Sequence, residues 1–416
     1  MQSYRRDDCR LCGSKSLVQV LSLAPTPPAD SYIPAELLDQ PQAEIPLDLY
    51  RCESCGHVQI GHVIDAEEVY LNYIYETAST LGLDGHFLEC ADDIMERFSP
   101  NPGGLVVDIG SNDGCLLQRF KEHGMIPLGI DPMPGIAEKA SANGIPTLPD
   151  FFTEAYARAL KEEYGAASVI TSNNLVADTD DLIGFVNGVK QLMDKDSIFF
   201  FETFYLYLQI KNHVWDFTYH EHYSYFTVKP LIEFFGKLGL EIIDIKPNLT
   251  KGGSMRCTLQ LVGGSRKIDD SVEEYESLET KMGLHGESAI EVFKQYQNKI
   301  DHGKDEYRSL INAMKSDGKK VVGYGASATS TTLIYHYGMQ NDFEYLVDDF
   351  SAKQNLFSPG AHIPIYSSDK IYADPPDVVV ILAWRYHEKI LERHKRFLDE
   401  GGTVVIPLPE LRQIGG

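Results

Sequence analysis

The sequence lacks the features that mark membrane, secreted and nucleic-acid-binding proteins. It has no run of 18 or more apolar residues, and its first residues lack the apolar core of a signal peptide, so we expect a soluble cytoplasmic protein without a membrane partner. Basic residues are too few to balance the acidic ones: 37 Lys and Arg stand against 61 Asp and Glu, a net charge of −24. Because nucleic-acid affinity comes largely from clustered Lys and Arg, this balance argues against a nucleic-acid partner.

Cysteine is also scarce, and it is unevenly placed. Of seven cysteines, four lie in the first 55 residues, as Cys9-Arg-Leu-Cys12-Gly and Cys52-Glu-Ser-Cys55-Gly. Two thiolates three positions apart can bind one ion, so the two pairs predict a four-thiolate zinc site in preference to disulfides in a cytosolic chain. A closed site of this kind leaves no coordination position for substrate, and we therefore expect the zinc to be structural.

A glycine is missing from the most informative motif of the chain. Residues 104–114, Gly-Leu-Val-Val-Asp-Ile-Gly-Ser-Asn-Asp-Gly, indicate a buried strand, a glycine turn and the start of a helix, and a second strand ends before Asp131. A pyrophosphate-binding turn needs Gly-x-Gly-x-x-Gly, whose third glycine is absent here. Asp108 is placed to face a cationic amino group, and Asp131 is placed to accept hydrogen bonds from ribose hydroxyls.

These features favour S-adenosylmethionine over a nicotinamide cofactor, and a turn that binds nothing is the third possibility. The cofactor-binding residues predicted from this unit are Asp108, Gly110, Ser111, Asn112, Gly114 and Asp131.

Length and strand patterning predict several domains. At 416 residues the chain is too long for one ordinary core, and alternating strands and helices predict an α/β fold with mainly parallel sheets. We expect an N-terminal zinc-binding domain (1–75), a central Rossmann-like methyltransferase domain (76–265), a helical connector (266–316) and a C-terminal Rossmann-like α/β domain (317–416). A glycine turn at 323–327 follows a strand of the last domain, and its amides are candidates to hold the nucleotide of a substrate.

Residues 215–226, Trp-Asp-Phe-Thr-Tyr-His-Glu-His-Tyr-Ser-Tyr-Phe, concentrate ionisable side chains ahead of a predicted helix that Thr227 is placed to cap. Three interpretations are open for the two histidines: a metal site, a structural role with both rings bonded to neighbouring carbonyls, and acid–base chemistry. Acid–base chemistry is favoured, since a neutral His accepts a proton at neutral pH while a nearby Glu or Tyr orients it or stabilises an oxyanion.

Motifs along the chain give it a resemblance to a known family. They are the paired cysteine motifs, Val106 to Gly114, Asn173-Asn174, Tyr219-His-Glu-His222 with Tyr225-Phe226, Gly252-Gly-Ser-Met-Arg256, Gly323-Tyr-Gly-Ala326, Asp348-Asp349, Pro359-Gly360 with Ile363-Pro-Ile365, and Ala383-Trp384. With these motifs the chain resembles the sugar C-3′-methyltransferases of deoxysugar biosynthesis over nearly its whole length. The resemblance implies that a nucleotide-linked 4-keto-6-deoxy sugar, with dTDP as the expected nucleotide, binds between domains and is methylated at C-3′.

The resemblance also implies roles for individual residues. His222 is the implied general base that removes the C-3′ proton, with Tyr219 and Glu221 as further catalytic residues beside the sugar. Asn173 and Asn174 join the implied cofactor site. The implied substrate-binding residues are Tyr73, Tyr75, Asp178, Glu202, His220, Arg256, Tyr324 and Asp348.

Two departures from the family pattern concern the substrate. Where the family usually has His after the Asn-Asn strand, this chain has Asp178, which pairs with an amino or hydroxyl group or else holds His222. After the last glycine turn, residues 327–332, Ser-Ala-Thr-Ser-Thr-Thr, replace the family's frequent Lys-Gly and leave the nucleotide contacts open. Two other classes remain as alternatives: an O- or N-methyltransferase acting on a small polar metabolite, and a zinc-ribbon binding protein. We expect a monomer.

Overall fold

The computed structural model describes residues 3–64 and 83–415 of the chain. These residues form two large α/β sheets, as the sequence predicts, and a smaller antiparallel sheet near the N-terminus. None of the described helices is both long enough and apolar enough to cross a membrane.

The small sheet belongs to the cysteine-containing N-terminal part, with one strand contributed from far along the chain. Its order is β11-β4-β3-β2, and the neighbours that pair are antiparallel. A separate antiparallel pair, β1 with β5, lies beside it. The strands are β1 (Ser3–Arg5), β2 (Leu17–Thr26), β3 (Ile45–Cys52), β4 (Val58–Ile60), β5 (His62–Ile64) and β11 (Ser224–Tyr225).

The central sheet has the order β8-β7-β6-β9-β10-β13-β12. Its first five strands are parallel, and β13 is antiparallel to both of its neighbours. The strands are β6 (Leu105–Ile109), β7 (Ile126–Ile130), β8 (Thr147–Leu148), β9 (Val169–Asn173), β10 (Ile198–Phe204), β12 (Leu240–Asn248) and β13 (Ser254–Leu261). Every residue of β6 and β10 is buried, which is why these strands are nearly continuous apolar runs, as parallel strands covered on both faces are.

Helices cover this sheet and lead to the next one. Those of the central part are Leu83–Phe98, Cys115–Glu122, Pro134–Ala142, Glu154–Tyr164, Leu182–Leu192, Leu206–Lys211 and Val228–Lys237. Two helices follow within the segment predicted to be helical, Ser271–Met282 and Ser288–Ser316. The longer one buries Phe293, Tyr296 and Ile300, whose spacing of three and four residues places them on one face.

The C-terminal sheet has the order β16-β15-β14-β17-β18-β19, parallel except for its last strand. Its strands are β14 (Val321–Tyr324), β15 (Leu346–Val347), β16 (Ile365–Tyr366), β17 (Val378–Ile381), β18 (Thr403–Ile406) and β19 (Arg412–Ile414). Its helices are Ala328–His336, Lys370–Ala373, His387–Arg393 and Lys395–Asp399.

The helix Val228–Lys237 begins differently from the sequence expectation. Thr227 occupies the N-cap position, but its side chain makes no capping hydrogen bond. The carboxylate of Glu279 accepts the backbone N–H of Val228 at 2.6 Å and also accepts the hydroxyl of Tyr205 at 2.7 Å. Glu279 is fully buried, so a carboxylate distant in sequence caps this helix and ties it to the helix Ser271–Met282.

We predict that Glu279→Ala lowers the free energy of unfolding by roughly 2–4 kcal/mol, because it leaves a helix terminus and a buried Tyr hydroxyl without their acceptor. Glu274→Ala, on an exposed position of the same helix, should stay within about 0.5 kcal/mol of the wild type. Urea unfolding followed by circular dichroism measures both. Equal stability of the two variants would show that Glu279 contributes nothing as a cap.

Candidate active site

A cleft of about 930 Å³ opens at the carboxyl ends of the central parallel strands. It lies where β6 has β7 on one side and β9 on the other, which is the point in an open parallel sheet where ligands bind. The turn after β6 lines one end of the cleft, and Tyr219 with residues 221–223 lines the other. The fold therefore joins the predicted cofactor turn to part of the predicted catalytic segment.

The turn after β6 needs glycine at two positions. Gly110 has a φ of +76° and Gly114 a φ of +79°, which side chains rarely tolerate. A Cβ on Gly110 would lie 3.2 Å from Leu175, and one on Gly114 would lie 3.0 Å from Ile145. The amide of Gly110 donates to the carbonyl of Ile130 at 2.8 Å, so the turn folds back onto β7 and that amide is not free for a phosphate.

Two carboxylates line the cofactor end of the cleft. Asp108 is buried at the end of β6 and accepts a hydrogen bond from the hydroxyl of Thr171 at 2.7 Å. Burial raises the pKa of Asp108 to about 7. Asp131 accepts the backbone N–H groups of Asn112 at 2.9 Å and of Met133 at 3.0 Å, one on each oxygen. Each carboxylate keeps lone pairs for a ligand, because a carboxylate oxygen can accept more than one hydrogen bond.

Several polar atoms of the cleft have no protein partner. The side-chain oxygen and nitrogen of Asn173 and the hydroxyl of Ser111 are buried without a hydrogen bond to any described residue. Asn174 has a φ of +56°, and its amide donates to the carbonyl of Glu202 at 2.8 Å. Buried polar atoms without partners are costly, so this end of the cleft fits a ligand rich in donors and acceptors with a positive charge, as S-adenosylmethionine is.

His222 lines the opposite end of the cleft and is held in one tautomer. Its Nδ1 lies 2.8 Å from the carbonyl oxygen of Phe217, and because a carbonyl only accepts, Nδ1 carries the proton and Nε2 keeps a lone pair. The ring packs against Tyr219, with centroids 3.9 Å apart, and against Phe204 at 4.4 Å. Burial lowers the pKa of His222 to about 3, so the imidazole is neutral at physiological pH.

Two carboxyl groups and an ammonium share this end with His222. Asp178 lies in a single helical turn, Val176–Asp178, and its Oδ1 is buried without a partner among the described residues. Burial raises the pKa values of Asp178 and Glu221 well above the usual range of a carboxyl group. The ammonium of Lys251, which also lines the cleft, opposes both shifts. The sequence analysis missed Lys251, although it directly precedes the Gly252-Gly-Ser-Met-Arg motif.

Three predicted substrate-binding residues lie next to this end, and their side chains already contact other residues of the protein. The Nε2 of His220 lies 3.2 Å from the carbonyl oxygen of Ile45, in the zinc-binding part. Glu202 and Arg256 form a buried ion pair at 2.8 Å, and His86 lies 2.8 Å from the same carboxylate. None of these residues lines the cleft, and their substrate contacts stay predictions.

The two predicted substrate-binding residues of the C-terminal part lie away from the cleft, whose last described lining residue in the chain is Lys251. Tyr324 donates its hydroxyl to Asp349 at 2.9 Å. Asp348 accepts the amide of Ala326 at 2.6 Å, so one amide of the glycine turn at 323–327 is already bonded to a carboxylate of the protein. Tyr73 and Tyr75 lie outside the described residues.

The C-terminal part instead contacts the predicted catalytic segment, residues 215–226, through hydrogen bonds and an ion pair. The hydroxyl of Thr332 donates to the carbonyl of Thr218 at 2.8 Å. The indole N–H of Trp384 donates to the buried carboxylate of Asp216 at 2.8 Å, and Arg385 forms an ion pair with the same carboxylate at 3.0 Å. Thr332 belongs to residues 327–332, which depart from the family pattern, and its hydroxyl is used for this contact within the protein.

The four predicted cysteine ligands come together. Sγ of Cys9 lies 3.6 Å from Sγ of Cys55, Sγ of Cys12 lies 3.6 Å from Sγ of Cys52, and all four sulfurs lie within 4.8 Å of one another. Tetrahedral zinc with Zn–S bonds of about 2.3 Å separates its sulfurs by about 3.8 Å, so this group fits a zinc ion. The amides of the two glycines that follow the pairs donate to the carbonyls of Cys9 and Cys52, which closes each turn.

The zinc-binding part holds the catalytic segment directly. Strand β11 pairs with β4, with Ser224 opposite Gln59. The hydroxyl of Tyr223 donates to the carbonyl of Ile64 at 2.9 Å. The guanidinium of Arg10, fully buried, donates to the carbonyl of Ile60 at 3.1 Å. The position of His222 therefore depends on a segment that is part of the zinc-binding sheet.

Comparison with known proteins agrees with this arrangement. Three family profiles match in succession: "Putative zinc binding domain" over residues 9–70, "Methyltransferase domain" over 85–245 and "C-methyltransferase C-terminal domain" over 249–409. The C-methyltransferase NovU of Streptomyces niveus is 29% identical over 409 residues, which cover 98% of this chain and 97% of NovU.

Solved structures similar to the chain include two methyltransferases. Magnesium protoporphyrin IX methyltransferase from Synechocystis, with bound SAH, is 13% identical with a TM-score of 0.35, over 44% of this chain and 84% of that one. An S-adenosylmethionine-dependent methyltransferase from Mesorhizobium loti is 14% identical with a TM-score of 0.33, over 42% of this chain and 99% of that one.

The cleft and the profile over its walls define a methyltransferase that uses S-adenosylmethionine. With the cysteine cluster and the C-terminal match added, the chain is similar to zinc-containing C-methyltransferases, and its four cysteines fit a structural zinc ion.

We predict that S-adenosylmethionine binds more weakly as the pH falls below 7. A cation favours the ionised form of Asp108, whose pKa is about 7 in the ligand-free protein, so the dissociation constant should rise about tenfold for each pH unit below that value. Asp108→Asn should weaken binding at pH 8 by roughly ten- to a hundredfold and flatten the pH dependence. Calorimetric titration between pH 5 and pH 8 measures both effects.

Asp196→Asn, in an exposed loop away from the cleft, serves as the control and should keep the wild-type affinity and pH dependence. A wild-type dissociation constant that does not change between pH 5 and pH 8 would contradict this role of Asp108.

We also predict that zinc loss separates catalysis from cofactor binding. Cys52→Ser should release the ion and lower methyl transfer by at least tenfold, because β11 and His222 lose their support. The affinity for S-adenosylhomocysteine should change less than threefold, since Asp108 and Asp131 stand on the central sheet. Metal analysis, turnover and calorimetry measure these quantities, with Ser54→Ala between the ligands as control. Full turnover in a metal-free variant would overturn the dependence.

Proposed function

We propose that this protein is a C-methyltransferase that methylates C-3′ of a nucleotide-linked 4-keto-6-deoxy sugar, with His222 as the general base. The observation that supports the proposal is that the imidazole of His222, whose Nδ1 is bonded to a carbonyl and whose Nε2 keeps a lone pair, lines the same cleft as Asp108 and Asp131. The resemblance to sugar C-3′-methyltransferases supports the choice of substrate, and the likeness to the C-methyltransferase NovU over nearly the full chain supports methylation at carbon.

The residues at the catalytic end suit the removal of a proton from carbon. A ketone at C-4′ acidifies the hydrogen at C-3′, and the Nε2 of His222 accepts that proton while its Nδ1–H stays on the carbonyl of Phe217. The nearby ammonium of Lys251 opposes the rise in the pKa values of Glu221 and Asp178, and a carboxyl group that ionises there favours the imidazolium that forms. Because burial lowers the pKa of His222 to about 3, substrate and carboxylates must raise it for the transfer to proceed.

The same residues also position the sugar. The unpartnered Oδ1 of Asp178 is placed to accept a hydrogen bond from a sugar hydroxyl or amino group, and Tyr219 covers the face of the His222 ring. Asp108, Asp131 and Asn173 hold the cofactor, with Asp108 near the positive charge and Asp131 on the ribose. S-adenosylmethionine, when bound, supplies the methyl group to the nucleophilic carbon. Fixing the two reactants in attack geometry contributes as much as the base.

We predict that His222→Asn lowers turnover by a factor of roughly one hundred to ten thousand, the usual worth of a general base, while the affinity for S-adenosylhomocysteine stays within threefold. The assay is incubation with a dTDP-4-keto-6-deoxyhexose in deuterated water, with and without S-adenosylmethionine, followed by mass spectrometry. The wild type should add one methyl group with the cofactor and exchange the C-3′ hydrogen for deuterium without it. Both signals should fall in His222→Asn.

His302→Asn, on an exposed position of the helix Ser288–Ser316, is the matched control and should behave as the wild type. Near-normal exchange in His222→Asn would remove this residue from the mechanism. Neither methylation nor exchange by the wild type, with GDP and CDP sugars also tested, would overturn the sugar substrate and favour an O- or N-methyltransferase acting on a small metabolite.

A further inference from the structure

Lys251 stands at the catalytic end of the cleft on a backbone that favours glycine. It lies between β12 and β13 with a φ of +52°, and Gly252 and Gly253 follow with φ values of +82° and +143°. Left-handed backbone is strained for a residue with a side chain, and such strain persists where the side chain at that point has a use.

The loop that carries Lys251 is packed tightly into the protein. A Cβ on Gly252 would lie 2.8 Å from Val214, and one on Gly253 would lie 2.5 Å from Leu208. The side-chain amide of Asn212 donates to the carbonyl of Gly252 at 3.1 Å. The loop is therefore fixed on the segment that precedes the catalytic residues, and the direction of the lysine is fixed with it.

The ammonium of Lys251 has charged neighbours but no ion-pair partner. Burial lowers its pKa, whereas Asp178, Glu202 and Glu221 raise it. No carboxylate oxygen of the described residues lies within 4.0 Å of its Nζ, the limit for an ion pair. A half-buried ammonium held in this way beside a cleft is available to an oxygen atom of a ligand.

Other cations near this end are already engaged. Lys353 pairs with Asp30 at 3.1 Å and donates to the carbonyl of Ala326, and Arg256 pairs with Glu202. Among the residues that the structure describes along the cleft wall, Lys251 is the only lysine or arginine. It shares that wall with His222, whose pKa its charge helps to lower.

We propose that Lys251 donates a hydrogen bond to the C-4′ oxygen of the sugar and stabilises the enolate that forms when His222 removes the C-3′ proton. This inference rests on the proposed function. The C-3′–H bond breaks and its proton goes to Nε2 of His222. Its electron pair forms the C-3′–C-4′ double bond, and the carbonyl electrons move to the C-4′ oxygen beside the ammonium. The same pair then forms the new bond to the methyl carbon while the methyl–sulfur bond of the donor breaks and leaves its electron pair on sulfur, so the ketone returns without any oxidant or reductant.

The surroundings favour this role over a contact to the nucleotide diphosphate. Asp178 and Glu221 lie near Lys251, and in their ionised forms they would repel a dianionic group bound beside them. A carbonyl oxygen is neutral in the ground state and gains negative charge only as the proton leaves. An ammonium balanced by nearby carboxyl groups therefore suits a charge that appears only during the reaction.

Two substitutions of Lys251 test the proposal, one that removes the positive charge and one that keeps it. Lys251→Gly removes the ammonium from a position that glycine prefers, so this variant should be at least as stable as the wild type in thermal melting. Lys251→Arg keeps a positive charge. Lys237→Met, on an exposed position of the helix Val228–Lys237, is the control for removing a lysine charge.

The decisive measurement is the rate of C-3′ deuterium exchange at saturating dTDP-4-keto-6-deoxyhexose, without the methyl donor. We expect Lys251→Gly to lose a hundred- to a thousandfold in this rate, with dissociation constants for the sugar nucleotide and for S-adenosylhomocysteine within threefold of the wild type. Added methylammonium should restore part of the rate in Lys251→Gly and none in His222→Asn. Lys251→Arg should keep more exchange than Lys251→Gly.

The other outcomes are distinct. Exchange within threefold of the wild type in Lys251→Gly would overturn the role of Lys251 and leave the proposed function standing. A hundredfold weaker affinity for the sugar nucleotide with normal exchange at saturation would also overturn it and assign Lys251 to the diphosphate. Absence of both exchange and methylation in the wild type would overturn the proposed function itself, and this inference with it.

Discussion

The arrangement of the catalytic end depends on one strand pairing, that of Ser224–Tyr225 with Val58–Gln59. This pairing makes the end of the His-Glu-His segment an edge strand of the zinc-binding sheet. Four thiolates around one ion hold the turns of that sheet, and β4 follows the second of these turns directly. A small metal site, with no position open to a ligand, thus helps to fix the place of the His222 imidazole, which it does not contact.

The same segment is held from its other side by the C-terminal part. The buried carboxylate of Asp216 takes hydrogen bonds from Trp384 and Arg385, and the carbonyl of Thr218 takes one from Thr332. The segment from Trp215 to Phe226 is therefore held by the zinc-binding sheet on one side and by the C-terminal α/β part on the other. Such fixation from both sides suits a reaction whose rate depends on holding two reactants within a fraction of an ångström.

Local sequence patterns predicted much of this architecture. The strand, turn and acid of residues 104–131 and the two cysteine pairs each carry their geometry within a few residues, so the cofactor end and the four-sulfur group were predictable. The partners of Glu202 and Arg256 were not, because an ion pair between adjacent strands depends on their register. The cap supplied by Glu279 and the approach of Lys251 to His222 arise likewise from tertiary packing over some thirty to fifty residues. In the glycine turn at 323–327, the amide of Ala326 donates to the carboxylate of Asp348. A turn typical of anion binding can therefore bind a carboxylate of the protein itself.

The carboxylates at the cofactor end have a consequence for what leaves the cleft. Asp108 and Asp131 line a cleft that takes S-adenosylmethionine, whose amino group and sulfonium both carry a positive charge. Transfer of the methyl group turns the sulfonium into a neutral thioether, whereas the amino group keeps its charge. The carboxylates therefore discriminate between fresh donor and spent product only through the charge on sulfur.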